Sequence, residues 1–419
     1  MTSPGGTPLL AVNTLRVRER IERLAALTES GRPYTRRAFT DLFKEARGWL
    51  GEELRGAGLE PSVDAGGNLV GRRPGSDSNL PALAAGSHID TVVGGGRFDG
   101  IAGVVAALEA AHTLHENGVE LRHPLWVFDF LSEEPSDYGA SCVGSRALVG
   151  ALTAEMLEAT NPAGEPLAEA IERVGGDPRA LTAPLVEAGE LAAFLELHIE
   201  QGPVLEREGK TIGLVEGIVA IHRLAITVRG QAAHAGTMPM NLRRDALVGA
   251  SRLVQDVSQR AREIAERESF VATVGRFDVL PNGANVVPGE VRMIVEARSL
   301  DEARVEEFLE GTRNFARTLA PDLDVEVESL SVAPPARSHD RLLSALERGC
   351  QRRGHDYRQM TSGAGHDAMQ VARIAPIAML FIPCSDGVSH NPAEDASYED
   401  VAAGAEVILE ALLELDASL

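Results

Sequence analysis

Apolar runs of about one strand's length alternate with helical stretches in the first half of this chain, and near Gly217 another order takes over. Residues 83–88, 125–131 and 194–199 read as buried strands, and a helix fills 101–117. Residues 14–58 read as helical, with Leu, Ile and Phe recurring at three- and four-residue steps. Strands that alternate with helices imply a mixed, largely parallel sheet covered on both faces. From 217 the order is strand 223–228, helix 242–268, strands 271–279 and 291–297 around Pro281-Asn282-Gly283, helix 301–319 and strand 323–330. That β-α-β-β-α-β order is ferredoxin-like. Residues 217–332 therefore read as an α+β domain inserted into an α/β domain made of 1–216 and 333–419. Ala333-Pro334-Pro335 marks the return, and the tail carries a helix, the strand Ile377–Ile382, a loop with His390 and a final helix.

A length of 419 residues agrees with two domains. With aromatics at 4%, the cores must rest on Ala, Val, Leu and Ile. The net charge of −22 argues against nucleic acid and anionic membrane as partners, and says little about a small anionic substrate. Cys142, Cys350 and Cys384 are few and odd in number, so a reducing compartment is expected rather than a disulfide framework. The first ten residues lack a basic region followed by an apolar stretch, and no apolar run approaches membrane-spanning length. A cytoplasmic protein is the expectation.

In a parallel sheet, ligands collect beyond the carboxyl ends of the strands. His88, Glu133, Glu134 and His198 each fall at or just after such an end. They belong to five segments: Gly86-Ser87-His88-Ile89-Asp90, Phe98-Asp99-Gly100, Glu133-Glu134, His198 and Ser389-His390-Asn391. A metal pair needs nitrogen donors, carboxylates and one carboxylate able to bridge. A hydrolytic site also needs a free carboxylate to take a proton from water. The five segments hold all of these, which makes a metal-dependent amide hydrolase the leading reading. Singly, each has a plainer one. Asp99 stands ahead of a helix, where it would serve as an N-cap. Glu133-Glu134 alone would be a solvated acidic loop, and His198 alone a satisfied core histidine. If Glu133 and Glu134 continue the strand, their side chains face opposite ways, so one can ligate while the other handles protons. In the inserted domain His234 follows a strand, Asn285 sits in a turn between two, and Arg298 ends another. A His, an Asn and an Arg together could hold a carboxylate, the Arg in a two-toothed pair.

These segments, with 86–91, 98–103, Gly144-Ser145-Arg146-Ala147, Leu197-His198-Ile199-Glu200-Gln201-Gly202-Pro203, His234-Ala235-Gly236-Thr237-Met238-Pro239-Met240, Asn285-Val286-Val287-Pro288-Gly289 and Ser362-Gly363-Ala364-Gly365-His366-Asp367, resemble the M20 metallopeptidase superfamily. Within it they look closest to the hydantoinase/carbamoylase amidases. The resemblance runs from about Asn68 to Glu394. It implies that His88, Asp99 and His198 hold one divalent ion, and Asp99, Glu134 and His390 a second. Asp99 would bridge the two, which would be zinc, manganese, cobalt or nickel. Glu133 would be general base and later acid, and Asp90 would orient His88. Gln201, His234, Asn285 and Arg298 would hold the substrate. His234 would also steady the developing oxyanion, reaching in from the neighbouring subunit of a homodimer built on the inserted domain.

The best substrate class on this resemblance is an N-carbamoyl-L-amino acid. The alternatives are allantoate amidohydrolase or β-ureidopropionase chemistry, and then an M20 aminoacylase or dipeptidase. A non-catalytic binding protein on this fold would be expected to lack the base or a ligand, and this chain keeps all of them. One segment departs from the group. After the Glu pair it commonly carries Gly-Ser-Arg-Phe, whereas here stand Pro135-Ser136-Asp137-Tyr138. An acid in place of a base there changes the charge expected near the metals.

Overall fold

The computed structural model describes residues 9–419. The chain divides into two compact units, one running up to Gly217 and resuming at Arg337–Leu419, the other being Ile218–Ala336. No helix of the described residues is long and apolar enough to cross a membrane.

The first unit is α/β. Its nine-stranded sheet runs Glu60–Val63, Leu69–Arg73, Leu125–Phe130, Ala82–His88, Leu191–Ile199, Ile377–Ile382, Ile212–Ile218, Ala336–Arg337, with Tyr357–Ser362 also paired to Ile212–Ile218. The middle strands, Leu125–Phe130, Ala82–His88, Leu191–Ile199 and Ile377–Ile382, are mutually parallel. Antiparallel strands flank them on both sides. Ala82–His88 and Ile377–Ile382 are buried at every position, as strands covered on both faces must be. Helix Ile101–Glu116 packs on Ala82–His88 and Leu191–Ile199, and helix Tyr398–Ser418 packs on it and on Ile377–Ile382. Ile101–Glu116 is apolar nearly all round, which suits a helix enclosed by neighbours.

The stretch 14–58, which reads as helical, holds two helices, Thr14–Ala26 and Asp41–Gly56. Gly31, at φ 75°, and Pro33 lie in the break, and neither favours continuing a helix. Thr40 then restarts the helix by accepting a hydrogen bond from the Phe43 amide.

A buried ion pair fixes the second helix to the sheet. Arg47 donates to the Asp129 carboxylate at 2.7 Å, and Asp129 also accepts from the Ile89 amide, next to His88. Both side chains are almost wholly buried. Removing one partner strands the other's charge, so Arg47→Ala is expected to destabilise this unit by about 3–5 kcal/mol. Urea unfolding checks it, with Arg47→Ala/Asp129→Asn expected to lose less. A loss below about 1 kcal/mol for the single variant would contradict the argument.

The inserted unit is a four-stranded antiparallel sheet in the order Asp324–Ala333, Ala220–Arg229, Glu290–Ser299, Val271–Leu280. Chain order and sheet order together are ferredoxin-like. Leu224, Ile226 and Val228 alternate inward and meet Val291, Met293 and Val295 beneath helices Ala246–Ala265 and Glu302–Arg317. The opposite sheet face is ionic. Arg223 and Arg298 both pair with Glu296, and Arg229 pairs with Glu326.

Candidate active site

The proposed ligands of the catalytic unit meet at the carboxyl end of its parallel strands. His88 is the last residue of its strand and His198 the last but one. Glu133 and Glu134 follow the strand that ends at Phe130. The structure corrects the expectation that this pair continues the strand. Ser132 takes a left-handed backbone at φ 53°, so the pair rides on a turn. The two carboxylates still diverge. Glu134 lies 3.2 Å from His390 Nε2, while Glu133 lies 3.6 Å from His88 Nε2.

Asp99 is not an N-cap. The cap of the following helix is Gly100, with no side-chain hydrogen bond. Gly100 is needed there: its φ is 67°, and a Cβ would lie 2.3 Å from His88 Nε2. Asp99 instead faces His198 Nε2 at 3.3 Å and His390 Nε2 at 3.1 Å, one through each carboxylate oxygen. One donor atom each of Asp99, Glu134 and His390 lies within 4.8 Å of the others.

The donor chemistry fits cations. His88 Nδ1 lies 3.0 Å from the Asp90 carbonyl, and His198 Nδ1 3.0 Å from the Ile199 carbonyl. An N–H at each Nδ1 donates to that oxygen and leaves Nε2 with its lone pair, the tautomer that a metal requires. The Gly100 amide donates to His198 Nε2, which agrees. Asp99 and Glu134 are nearly buried, and unpaired buried carboxylates are costly. In the protein alone His390 supplies the compensating charge, pushed up to about 11 by hydrogen bonds to Asp99 and Glu134. Burial alone would raise Asp99, but the His390 hydrogen bond, with the imidazoles of His198 and His88 close by, holds it below the usual carboxylate range. Burial, opposed by His88 and assisted by Glu134, pushes Glu133 well up. Metal ions in this cluster would take over the role of the His390 charge.

Two of the expected residues have partners beyond those expected. The Asp90 carboxylate lies 3.5 Å from His88 Nδ1, farther than its own backbone oxygen. It also accepts from the amides of Glu133 and Glu134, at 3.2 and 3.3 Å. Asp90 thus ties the His88 strand end to the Glu pair. Gln201, expected at the substrate, donates to Asp99 Oδ1 at 2.9 Å from a left-handed backbone of φ 55°.

Of the other expected binding residues, His234 and Asn285 lie together in the inserted unit. His234 is in register with Val286, and the Ala235 amide donates to the Asn285 carbonyl. Both are exposed. Arg298 is not with them. The short ribbon adjoins the Glu290 end of the strand Glu290–Ser299, and Arg298 is near the other end, about 26 Å along at about 3.3 Å per residue.

Several residues that hold the site together carry no local sequence signal. Glu394 accepts from the amides of Phe98 and Asp99, 296 and 295 residues away, and from the Ser389 hydroxyl. Gly96 makes room for it, since a Cβ there would lie 1.8 Å from its carboxyl. Arg36 is buried and donates to the carbonyls of Ile89, Leu24 and Leu27; burial pushes it down to about 10. Asp137, the unusual acid, pairs with Arg37 at 2.8 Å, so its charge is answered locally. Both line a cavity of about 250 Å³ whose wall includes Phe39, Tyr138, Asp90 and Glu134.

The sequence pattern of Peptidase family M20/M25/M40 matches residues 84–414, a span that holds all five proposed ligands. The chain belongs to this family. It is an M20-family amidohydrolase of the hydantoinase/carbamoylase group. An N-carbamoyl-L-amino acid amidohydrolase of Geobacillus stearothermophilus is 37% identical over 400 residues, covering 94% of this chain and 97% of that one. A ureidoglycolate hydrolase of Arabidopsis thaliana is 35% identical, covering 95% and 86%. Among solved structures, a hydantoinase/carbamoylase family amidase of Burkholderia multivorans has a TM-score of 0.89 at 36% identity, over 98% of this chain and 99% of that chain. AtUAH, solved in complex with (S)-hydroxyglycine, has a TM-score of 0.80 at 33% identity, over 98% and 99%.

Proposed function

We propose that this amidohydrolase cleaves the C–N bond of a linear amide or ureido group, outside peptides, in a small carboxylate, with N-carbamoyl-L-amino acids as the best substrate class. One observation carries the reading: beside a cation-fitting set of Asp99, Glu134 and His390 stands a separate carboxylate, Glu133, on the very next residue to a ligand. Divalent ions held by His88, Asp99 and His198, and by Asp99, Glu134 and His390, would make a water acidic enough to react at neutral pH. Glu133 would take a proton from the attacking water and give it to the leaving nitrogen. Asp90 holds the backbone of Glu133 and Glu134, so base and ligand keep a fixed separation.

Arg298, with Asn285 and His234, would hold the carboxylate and the oxyanion. The run of about 26 Å along the strand from Glu290, next to the ribbon, to Arg298 supports a dimeric site, because it sets Arg298 far from the His234 and Asn285 of its own chain for one small substrate to span. On this reading one of the two groups comes from a second copy. The exposed Met240 and Leu242 beside the ribbon suit a covered surface. A carboxylate substrate agrees with the (S)-hydroxyglycine held by AtUAH, and a carbamoyl group with the Geobacillus enzyme.

The test is an ammonia-release screen over N-carbamoyl-L-amino acids, allantoate, ureidoglycolate, β-ureidopropionate and N-acyl amino acids, with each metal supplied separately. The expected result is highest kcat/KM on a carbamoyl amino acid. Preference for allantoate or for ureidoglycolate would keep the chemistry and change the substrate. Turnover of N-acyl amino acids without ammonia would overturn the ureido reading.

A further inference from the structure

The string Gly144-Ser145-Arg146-Ala147 has no part in the reaction outlined so far, yet it begins a helix that docks on the turn carrying Glu133. The amides of Cys142, Val143 and Gly144 donate to the carbonyls of Glu133, Ser132 and Leu131, at 2.9, 3.0 and 2.8 Å. Free amides at the start of helix Val143–Leu148 are thus satisfied by the base-bearing turn itself. Gly144 is pressed against that turn: a Cβ would lie 1.8 Å from Asn68 Oδ1 and 2.5 Å from the Leu131 nitrogen. Cys142 holds a left-handed backbone, φ 52° and ψ 40°, and its thiol reaches Glu133 Oε1 at 3.6 Å. The other oxygen, Oε2, faces His88. Ser145 anchors the segment from behind, donating to the buried Asp367 carboxylate.

We infer that Cys142 is a positioning residue: its S–H holds Glu133 Oε1, so that Oε2 is presented to the metal-binding side, and the Ser145–Asp367 hydrogen bond keeps Cys142 in place. The inference rests on Glu133 being the proton carrier. A thiol is a weak donor, which suits a group that must hold a carboxylate in orientation and still let it exchange a proton. Burial first, and the Glu133 charge second, keep this thiol protonated by raising it well above its usual range. Small displacements of a catalytic group are expensive in rate.

The experiment compares Cys142→Ala, Cys142→Ser, Ser145→Ala and the Cys142→Ala/Ser145→Ala double variant in the metal-loaded enzyme, with Glu133→Gln alongside. Cys142→Ala is expected to lower kcat about tenfold or more, with KM and metal content unchanged. Cys142→Ser, which keeps a donor, recovers most of the rate, whereas a packing role would make Ser no better than Ala. Ser145→Ala lowers kcat in the same direction, and the double variant falls short of the product of the two losses because both act along one path. A crystal structure of Cys142→Ala shows the Glu133 carboxyl rotated. Normal kcat in Cys142→Ala, Ser failing as badly as Ala, or fully multiplicative losses would overturn the inference. Near-normal turnover by Glu133→Gln would instead sink the reading on which it rests.

Discussion

Glu133→Gln is expected to lower kcat by about two to four orders of magnitude while metal content stays at the wild-type level. The amide nearly matches the carboxylate in shape but cannot carry the proton. Glu133 touches His88 at 3.6 Å, whereas Glu134 lies 3.2 Å from His390 within the cation-fitting cluster. Glu134→Gln is therefore expected to lose metal as well as rate. Elemental analysis beside single-turnover kinetics separates the two variants. If Glu133→Gln kept a near-normal kcat, or lost metal as Glu134→Gln does, the assignment of base and ligand within this pair would be wrong.

The second expectation concerns assembly. Mixed in equal amounts with subunit exchange, inactive His234→Ala and inactive Glu133→Gln chains should recover up to about a quarter of wild-type activity. Half of the dimers are then mixed, and each carries one intact site of two. The separation within the strand Glu290–Ser299 sharpens the test. His234→Ala with Arg298→Ala should also recover, since the two residues would serve a given site from different chains. His234→Ala with Asn285→Ala should not, because these neighbours travel together on one ribbon. Recovery by the His234/Asn285 mixture, or silence from all three mixtures despite proven exchange, would rule out this division of labour.

Residues with periodic or terminal placement are legible in the sequence. His88 and His198 end apolar strands, a placement that marks a parallel sheet's binding edge. The inserted unit showed itself by its change of element order. The break between Ala26 and Asp41 is itself written in the sequence, in Gly31 and Pro33 and in the lack of any Leu, Ile or Phe between Leu27 and Phe39, although the apolar steps on either side read alike. Glu394, Arg36, and the Arg47–Asp129 pair, by contrast, were illegible. A buried charge is defined by its partners, and these stand tens to hundreds of residues away, with no spacing rule to link them. Asp137 shows how a local surprise is absorbed: its answering charge, Arg37, is 100 residues upstream.

The strand Ile377–Ile382 lies between Leu191–Ile199 and Ile212–Ile218, yet it comes from near the end of the chain. On the ribosome, the catalytic sheet must wait with a gap at its middle until that strand emerges. His390 and Glu394 follow it closely, so the last proposed ligand and the carboxylate that braces the Asp99 loop arrive only then. The inserted unit is one unbroken stretch, Ile218–Ala336, and all of it is synthesised first. On the dimeric site proposed above, a nascent chain would present its inserted unit to a neighbour before it could hold a metal, and assembly would precede competence.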